Sequence, residues 1–321
     1  MPSKTKRAGV PAVLGQSPGF RRGAEALAAA RPFVKWAGGK ARILGDIRSK
    51  YPPGLGQSIK KYAEPFVGGG AVLFDILGHY NLDAVYISDI NRELMHAYQT
   101  VRDNCGALAR RLSELESQYL PESESGRNNL YYGSRDRYNA LARSGDASLE
   151  LAALFIFLNK TCFNGLYRVN AKGAFNVPRG DFKKPRICDA GNLMAVSDAL
   201  RNVRVVCGDY AQSETFIDGG TFAYFDPPYR PLTATSRFTA YSRDGFGDRE
   251  QMALARFIDR LSARGAYVMA SNSDPKNADA SDNFLDGLYS RRKIFRVGAG
   301  RAINAKGHGR GKINELLIAS Y

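Results

Sequence analysis

The chain has 321 residues, 44% of them hydrophobic, enough for one large α/β domain or two modest ones around a real core. Its 46 Lys plus Arg against 31 Asp plus Glu give a net charge of +15, which favours a polyanionic partner, most simply nucleic acid. Four dispersed cysteines without a C-x-x-C pair and three scattered histidines argue against a zinc site and for reduced intracellular thiols, and the longest apolar run, Leu151 to Leu158, is too short to span a bilayer.

Residues 1–30 carry Lys4, Lys6, Arg7, Arg21 and Arg22 with only Glu25 acidic, so little there can build a core. They read as a basic, disordered arm, although an Arg-rich, acid-poor start also fits an organelle transit peptide. No secretory signal is visible. Order is expected to begin at Arg31, with Lys35-Trp36-Ala37-Gly38-Gly39-Lys40 leading into an amphipathic stretch from Ile43 to Ile47. Two glycines opening a helix leave backbone N–H groups for an anionic or carboxylate ligand. Trp36, the only tryptophan, lies beside that turn, where a core role competes with a binding one.

The stretch Lys61 to Leu73, which holds Glu64-Pro65-Phe66-Val67, reads as a short strand, the glycines Gly68-Gly69-Gly70 and then an apolar helix. Such glycines let backbone approach a ligand in the manner of a nucleotide-binding first turn. Ala84 to Ile87 forms a second strand that runs into Ser88-Asp89-Ile90-Asn91, placing an acid about twenty residues beyond the glycines, where it can accept ribose hydroxyls. The two units suggest a ligand with an adenosyl or similar nucleoside group. A G-x-x-x-x-G-K-[ST] loop is absent, which argues against ATP.

From 93 to 188 the pattern becomes helical, with Leu94, Tyr98 and Val101 on one face and Leu108, Leu112, Leu115 and Tyr119 continuing it. This segment reads as an inserted helical subdomain between the two parts of a catalytic domain, 31–92 and 189–321. Within it, after the apolar helix Leu151 to Leu158, Asn159-Lys160-Thr161-Cys162-Phe163-Asn164-Gly165-Leu166-Tyr167-Arg168-Val169-Asn170, Lys172-Gly173 and Phe175-Asn176-Val177-Pro178 surround a Gly-turned hairpin. Asn, Arg and Lys with exposed Leu and Tyr are residue types that read base edges and wedge between base pairs. The basic tail from Arg179 to Arg186 suits phosphates, or is simply a solvated loop.

Strand patterns resume at Val203 to Tyr210, Thr221 to Phe225 and Ala266 to Asn272, with an amphipathic helix from Leu254 to Leu261. Tyr289 to Val297 and Ile313 to Tyr321 alternate like a closing antiparallel pair, and the segment 301–312 between them reads as a basic loop on a nucleic-acid backbone. The Thr221–Phe225 run is stopped by Asp226-Pro227-Pro228-Tyr229, at the carboxyl edge of the sheet, where open α/β folds keep their ligands. This turn suits a flat aromatic amine: Asp226 and the Pro227 carbonyl accept its two N–H hydrogens and Tyr229 stacks on the ring. An ordinary strand-to-turn corner with an acidic cap is the competing reading.

Taken together, Lys35 to Lys40, Glu64 to Gly70, Asp89 to Asn91, Phe163 to Arg168, Phe175 to Pro178 and Asp226 to Tyr229 closely resemble the Dam/DpnM-type (D12 class) DNA adenine-N6 methyltransferases. The likeness runs from about Phe33 to the C-terminus, and six motifs in order are far more specific than any one alone. The resemblance implies a Rossmann-like α/β methyltransferase sheet, mostly parallel with a C-terminal antiparallel strand, and S-adenosylmethionine as cofactor. It implies a cofactor pocket lined by Trp36, Lys40, Phe66, Gly68, Gly70, Asp89 and Asp226, and catalysis by Asp226, Pro227 and Tyr229 on a flipped adenine. DNA contacts are implied for Lys35, Asn164, Leu166, Arg168, Asn170 and Pro178. The implied substrate is double-stranded DNA, with GATC among the family's target sequences. A separate restriction endonuclease acting on the same site without a stable complex is the implied functional partner. No structural metal and no membrane are expected, and the expected location is cytoplasmic, nucleoid-associated in a bacterium. The basic arm before Arg31 has no counterpart in the family pattern.

Overall fold

A computed structural model describes residues 30–230, 246–300 and 312–321. The expected basic arm and the basic loop at 301–312 lie outside the described residues except at their edges. In chain order the elements are α1 (Leu44–Arg48), β1 (Lys61–Glu64), α2 (Ala71–His79), β2 (Ala84–Asp89), α3 (Arg92–Tyr119), α4 (Glu124–Ser144) and α5 (Leu149–Thr161). They continue with α6 (Ala190–Leu200), β3 (Val203–Cys207), β4 (Thr221–Phe225), α7 (Asp248–Ala263), β5 (Tyr267–Ser273), α8 (Phe284–Leu288), β6 (Lys293–Gly300) and β7 (Lys312–Ala319).

The seven strands form one sheet in the order β3-β2-β1-β4-β5-β7-β6. The first five are parallel, while β7 inserts antiparallel between β5 and β6. The mostly parallel sheet and the antiparallel C-terminal pair match the expected fold class. Chain order runs outward in opposite directions from the β1–β4 boundary, so the topological switch point lies between Glu64 and Asp226, at the carboxyl ends of these strands.

Both faces of the sheet are covered. Along β4 the side chains alternate, Phe222 and Tyr224 joining one buried cluster and Ala223 and Phe225 the other. The second cluster is closed by Leu254, Phe257, Ile258 and Leu261, one stripe of α7. The first continues without a break from sheet residues such as Tyr62 and Ile87 into α3 and α5. Helix α5 is buried from Leu151 to Asn159, as its apolar circumference requires, and α3 packs against it along the Leu108, Leu112 and Leu115 stripe. Helix α3 starts where the Asn91 side chain accepts from Leu94 N (2.8 Å), and its backbone departs from helical angles at Asn104. The helical segment thus shares one core with the sheet, and the hairpin that follows α5 is held close to the carboxyl edge.

Candidate active site

Asp226, the first residue after β4, is engaged at both oxygens. Lys40 Nζ donates to one at 2.6 Å and Ser271 Oγ to the other at 2.8 Å, while the Tyr224 hydroxyl donates to Ser271 Oγ at 2.9 Å. Lys40 is buried (3% exposed) and also donates to the Gly38 carbonyl at 2.7 Å, so the turn at Gly38 and Gly39 aims its ammonium inward. The Tyr229 ring lies 4.9 Å from that ammonium, and the Tyr229 hydroxyl donates to Glu315 at 2.8 Å. From α7, the buried Gln251 donates to the Pro228 carbonyl at 3.2 Å and accepts from Asn272 at 3.1 Å. The proline turn is therefore fixed from four elements. A carboxylate has about four acceptor positions, so Asp226 keeps capacity for a further donor.

The glycine turn stands across the switch point. Gly68 and Gly70 have φ of +48° and +75°, and a Cβ at Gly68 would sit 2.8 Å from the Trp36 ring, so backbone conformation and packing both demand glycine there. Asp89 accepts from Gly68 N at 3.1 Å and from Asn91 N at 2.9 Å, tying the end of β2 to this turn, and burial raises its pKa. Glu64, at the end of β1, is buried beside the Tyr62 hydroxyl (2.7 Å), and desolvation pushes its carboxyl up to about 8.

These groups line one cavity of about 990 Å³, which includes Gly68 to Gly70, Asp89, Lys40 and the whole Asp226–Tyr229 turn. Trp36 and Phe66 also line it, Phe66 stacked on Tyr210 at 5.4 Å. The wall carries aromatic faces, five carboxyl groups (Glu64, Asp89, Asp209, Asp226 and Glu250) and the buried Lys40 ammonium, with Lys35, Arg230 and Arg249 also on it. The wall includes residues to which sequence reasoning gave no role of their own, among them Glu64 and Ile90, the latter 69% exposed. Both were visible as neighbours of assigned residues, Glu64 before the glycine motif and Ile90 after Asp89.

The hairpin stands beside this cavity. Asn164 takes a left-handed φ of +55°, Phe163 N donates to the Pro178 carbonyl at 2.9 Å, and Val169 pairs antiparallel with Phe175. Arg168, Asn164, Leu166 and Pro178 are exposed, with Arg168 Nε donating to Asn176 at 2.8 Å. Asn170 spends its side-chain oxygen on the tip, accepting from Lys172 N and Ala174 N, both at 3.0 Å. Phe163, given no role of its own from sequence, is 51% exposed. Arg179 in the basic tail is engaged by Asn128 (2.6 Å) and Glu124 (3.2 Å), whereas Lys183 and Lys184 are exposed.

Tyr167 departs from expectation. Rather than being exposed, its ring stacks on Trp36 (5.5 Å, 24°) and packs against Phe155 and Phe175, because the alternation that exposes Leu166 and Arg168 turns it inward. Asn159, buried at the end of α5, accepts from Lys35 N and donates to the Lys35 carbonyl, both at 2.8 Å, and donates to the Gly165 carbonyl at 3.2 Å. Lys35 is thereby placed on the hairpin, its Nζ 4.3 Å from the Phe182 ring, while Trp36 faces the glycine turn. Among the described residues, no group of three His, Cys, Asp or Glu could hold a metal, and no helix is long and apolar enough to cross a membrane.

Comparison with known proteins agrees with this geometry. Residues 36–303 match the family described as D12 class N6 adenine-specific DNA methyltransferase. The chain is 47% identical over 293 residues to the type II methyltransferase M.MjaIII of Methanocaldococcus jannaschii, covering 91% of this chain and 99% of that one. It is 35% identical to the type II methyltransferase M1.LlaDCHI of Lactococcus lactis (91% and 95% covered), and 34% identical to the DNA adenine methylase of Escherichia coli K12 (89% and 94% covered). With the cavity at the switch point, the proline turn beside it and this extent of match, the chain belongs to the D12 class of N6 adenine-specific DNA methyltransferases.

Proposed function

We propose that this enzyme takes a methyl group from S-adenosylmethionine and delivers it directly to N6 of an adenine turned out of duplex DNA. The observation that carries the reading is that Asp226 and the Gly68–Gly70 turn line the same cavity at the sheet's switch point. When bound, the cofactor supplies a methyl group on a positively charged sulfur. Gly68, Gly70 and Asp89 hold its nucleoside, with Trp36, Phe66 and Lys40 completing the pocket; the carboxyl-rich wall suits its positive charge.

An adenine amine in a base pair is out of reach and its lone pair is delocalised, so the base must leave the stack at a cost of about a few kcal/mol. Leu166, with Phe163 beside it, offsets part of that cost by filling the gap. Asp226 and the Pro227 carbonyl accept the two N6 hydrogens, which localises the lone pair on nitrogen, and Tyr229 stacks on the ring. Asp226 acts as an acceptor rather than a strong base, since the N6 proton becomes acidic only after the methyl has arrived. Holding nitrogen and methyl in line provides much of the acceleration.

Residues 93–188 serve as the target-recognition part on a catalytic unit formed by 31–92 and 189–321. Lys35, Asn164, Arg168, Asn170 and Pro178 face base edges and backbone, and GATC is the target that the family resemblance puts first for testing. Two relatives are named type II methyltransferases, which supports a role beside a separate restriction endonuclease of the same specificity, without a stable complex.

Tritium transfer from labelled cofactor into unmethylated plasmid, with RNA and protein as competing acceptors, tests the reading. Label in DNA that disappears with Asp226→Ala is expected. Label in protein or RNA would instead indicate a glutamine or RNA methyltransferase on the same sheet, and no transfer to any acceptor a DNA-binding regulator.

A further inference from the structure

Glu315 lies on β7 paired with Ser273 at the end of β5, so the antiparallel strand delivers a carboxylate to the carboxyl edge where the parallel strands end. Its side chain is largely buried (16% exposed) and burial raises its pKa. It accepts from the Tyr229 hydroxyl at 2.8 Å and lies 3.9 Å from Lys40 Nζ, whose closer partner is Asp226 at 2.6 Å. Tyr229 is thus fixed twice, its ring against the Lys40 ammonium and its hydroxyl on Glu315, a residue 86 positions away in sequence. Two successive prolines set the backbone direction at Tyr229 but leave its side-chain torsions free.

We infer that Glu315 is a positioning residue for methyl transfer: it anchors the Tyr229 hydroxyl, so that the ring meets the extruded base in one orientation, and with Asp226 it holds Lys40 between two carboxylates. The inference rests on the proposed role of Tyr229. Glu315 touches neither base nor cofactor in this account; it lowers the barrier by keeping the stacking ring from swinging away once the base arrives. Loss of a buried charge-assisted hydrogen bond is expected to cost roughly 10- to 100-fold in kcat.

The test compares wild type, Glu315→Leu, Glu315→Gln, Tyr229→Phe and the Tyr229→Phe/Glu315→Leu double variant. The readouts are kcat and KM on unmethylated plasmid, affinity for S-adenosylhomocysteine by calorimetry, and thermal midpoint. The expected result is a fall in kcat for Glu315→Leu and a similar one for Tyr229→Phe. Partial recovery is expected with Glu315→Gln, which keeps an acceptor for the hydroxyl, and a double variant no slower than the slower single one. Cofactor-product affinity should fall much less than kcat, since neither side chain belongs to the glycine turn and Asp226, the closer partner at 2.6 Å, still holds Lys40. Full activity of Tyr229→Phe, a strictly additive double variant, or an affinity loss as large as the kcat loss would each overturn the inference. The first of these stands even if Glu315→Leu fails to fold. A wild-type protein that labels no DNA would instead overturn the proposed function, which keeps the two failures distinct.

Discussion

The carboxyl edge of the sheet and the hairpin after α5 are built on opposite plans. At the edge, polar groups are buried and interlocked: Asp226, Lys40, Ser271, Tyr224, Tyr229 and Glu315 form one connected set of hydrogen bonds, ion pairs and ring contacts. On the hairpin, Phe163, Asn164, Leu166 and Arg168 stand exposed, while Asn159 on one side and Asn139 on the other tie its backbone to the helices. On the proposed function, chemistry on an extruded base needs one preorganised geometry, whereas reading a groove needs side chains that reach outward from a firm base. The two meet at Lys35 and Trp36, where consecutive residues face the hairpin and the glycine turn.

Substitutions on each side sharpen the contrast or break it. Asp226→Ala is expected to cost on the order of 10²- to 10³-fold in kcat while the protein stays folded, the scale of losing one preorganised polar contact at a reacting centre. A loss confined to KM would show that Asp226 serves binding instead.

Asn139→Ala has a smaller, different signature. The Asn139 amide donates to the Phe175 carbonyl (3.0 Å) and accepts from Phe175 N (2.8 Å), so its removal leaves backbone groups of the returning strand unpaired, at about 1–3 kcal/mol. KM for DNA should rise severalfold, with cofactor-product affinity unchanged by calorimetry. If cofactor affinity falls in parallel, the two regions are not separable.

The effect at Glu64 is read as a slope of stability with pH. Its carboxyl goes from an ordinary 4.5 to about 8 through burial, so between those values the unfolded chain binds fewer protons than the folded one. Stability from this group is therefore greatest at low pH and is lost as pH rises towards 8, by roughly a kcal/mol per pH unit at most. Thermal melts from pH 5 to pH 8 should show this slope in wild type and a flatter one in Glu64→Gln; identical slopes would place the ionisation elsewhere.

What the sequence disclosed follows the same division. Strands β1, β2 and β4 and the turns after them were legible because apolar runs, glycines and prolines act locally, and Asp226 follows directly from the end of β4. Ser271 and Glu315 carry no local sign of their role, since their partners lie 45 and 86 positions away and meet them only through strand pairing. Tyr167 was misplaced for a related reason: composition marks a hairpin aromatic as a wedge, and only the Trp36, Phe155 and Phe175 rings packed around it show that it belongs to the core. Asn139 carries no sign in the sequence, and Asn159, read there with the hairpin, instead lies buried near the end of α5, because an asparagine that pairs with distant backbone looks in sequence like any polar loop or helix-surface residue.

The division of labour is tested most directly by mapping every methylated adenine in DNA from cells expressing wild type or Arg168→Ala. A bidentate base contact is worth about 1–3 kcal/mol of discrimination, so the variant should methylate new sites that differ from the wild-type target at one base position. Methylation confined to the original sites at a lower level would contradict the account, because Arg168 would then support turnover without reading sequence.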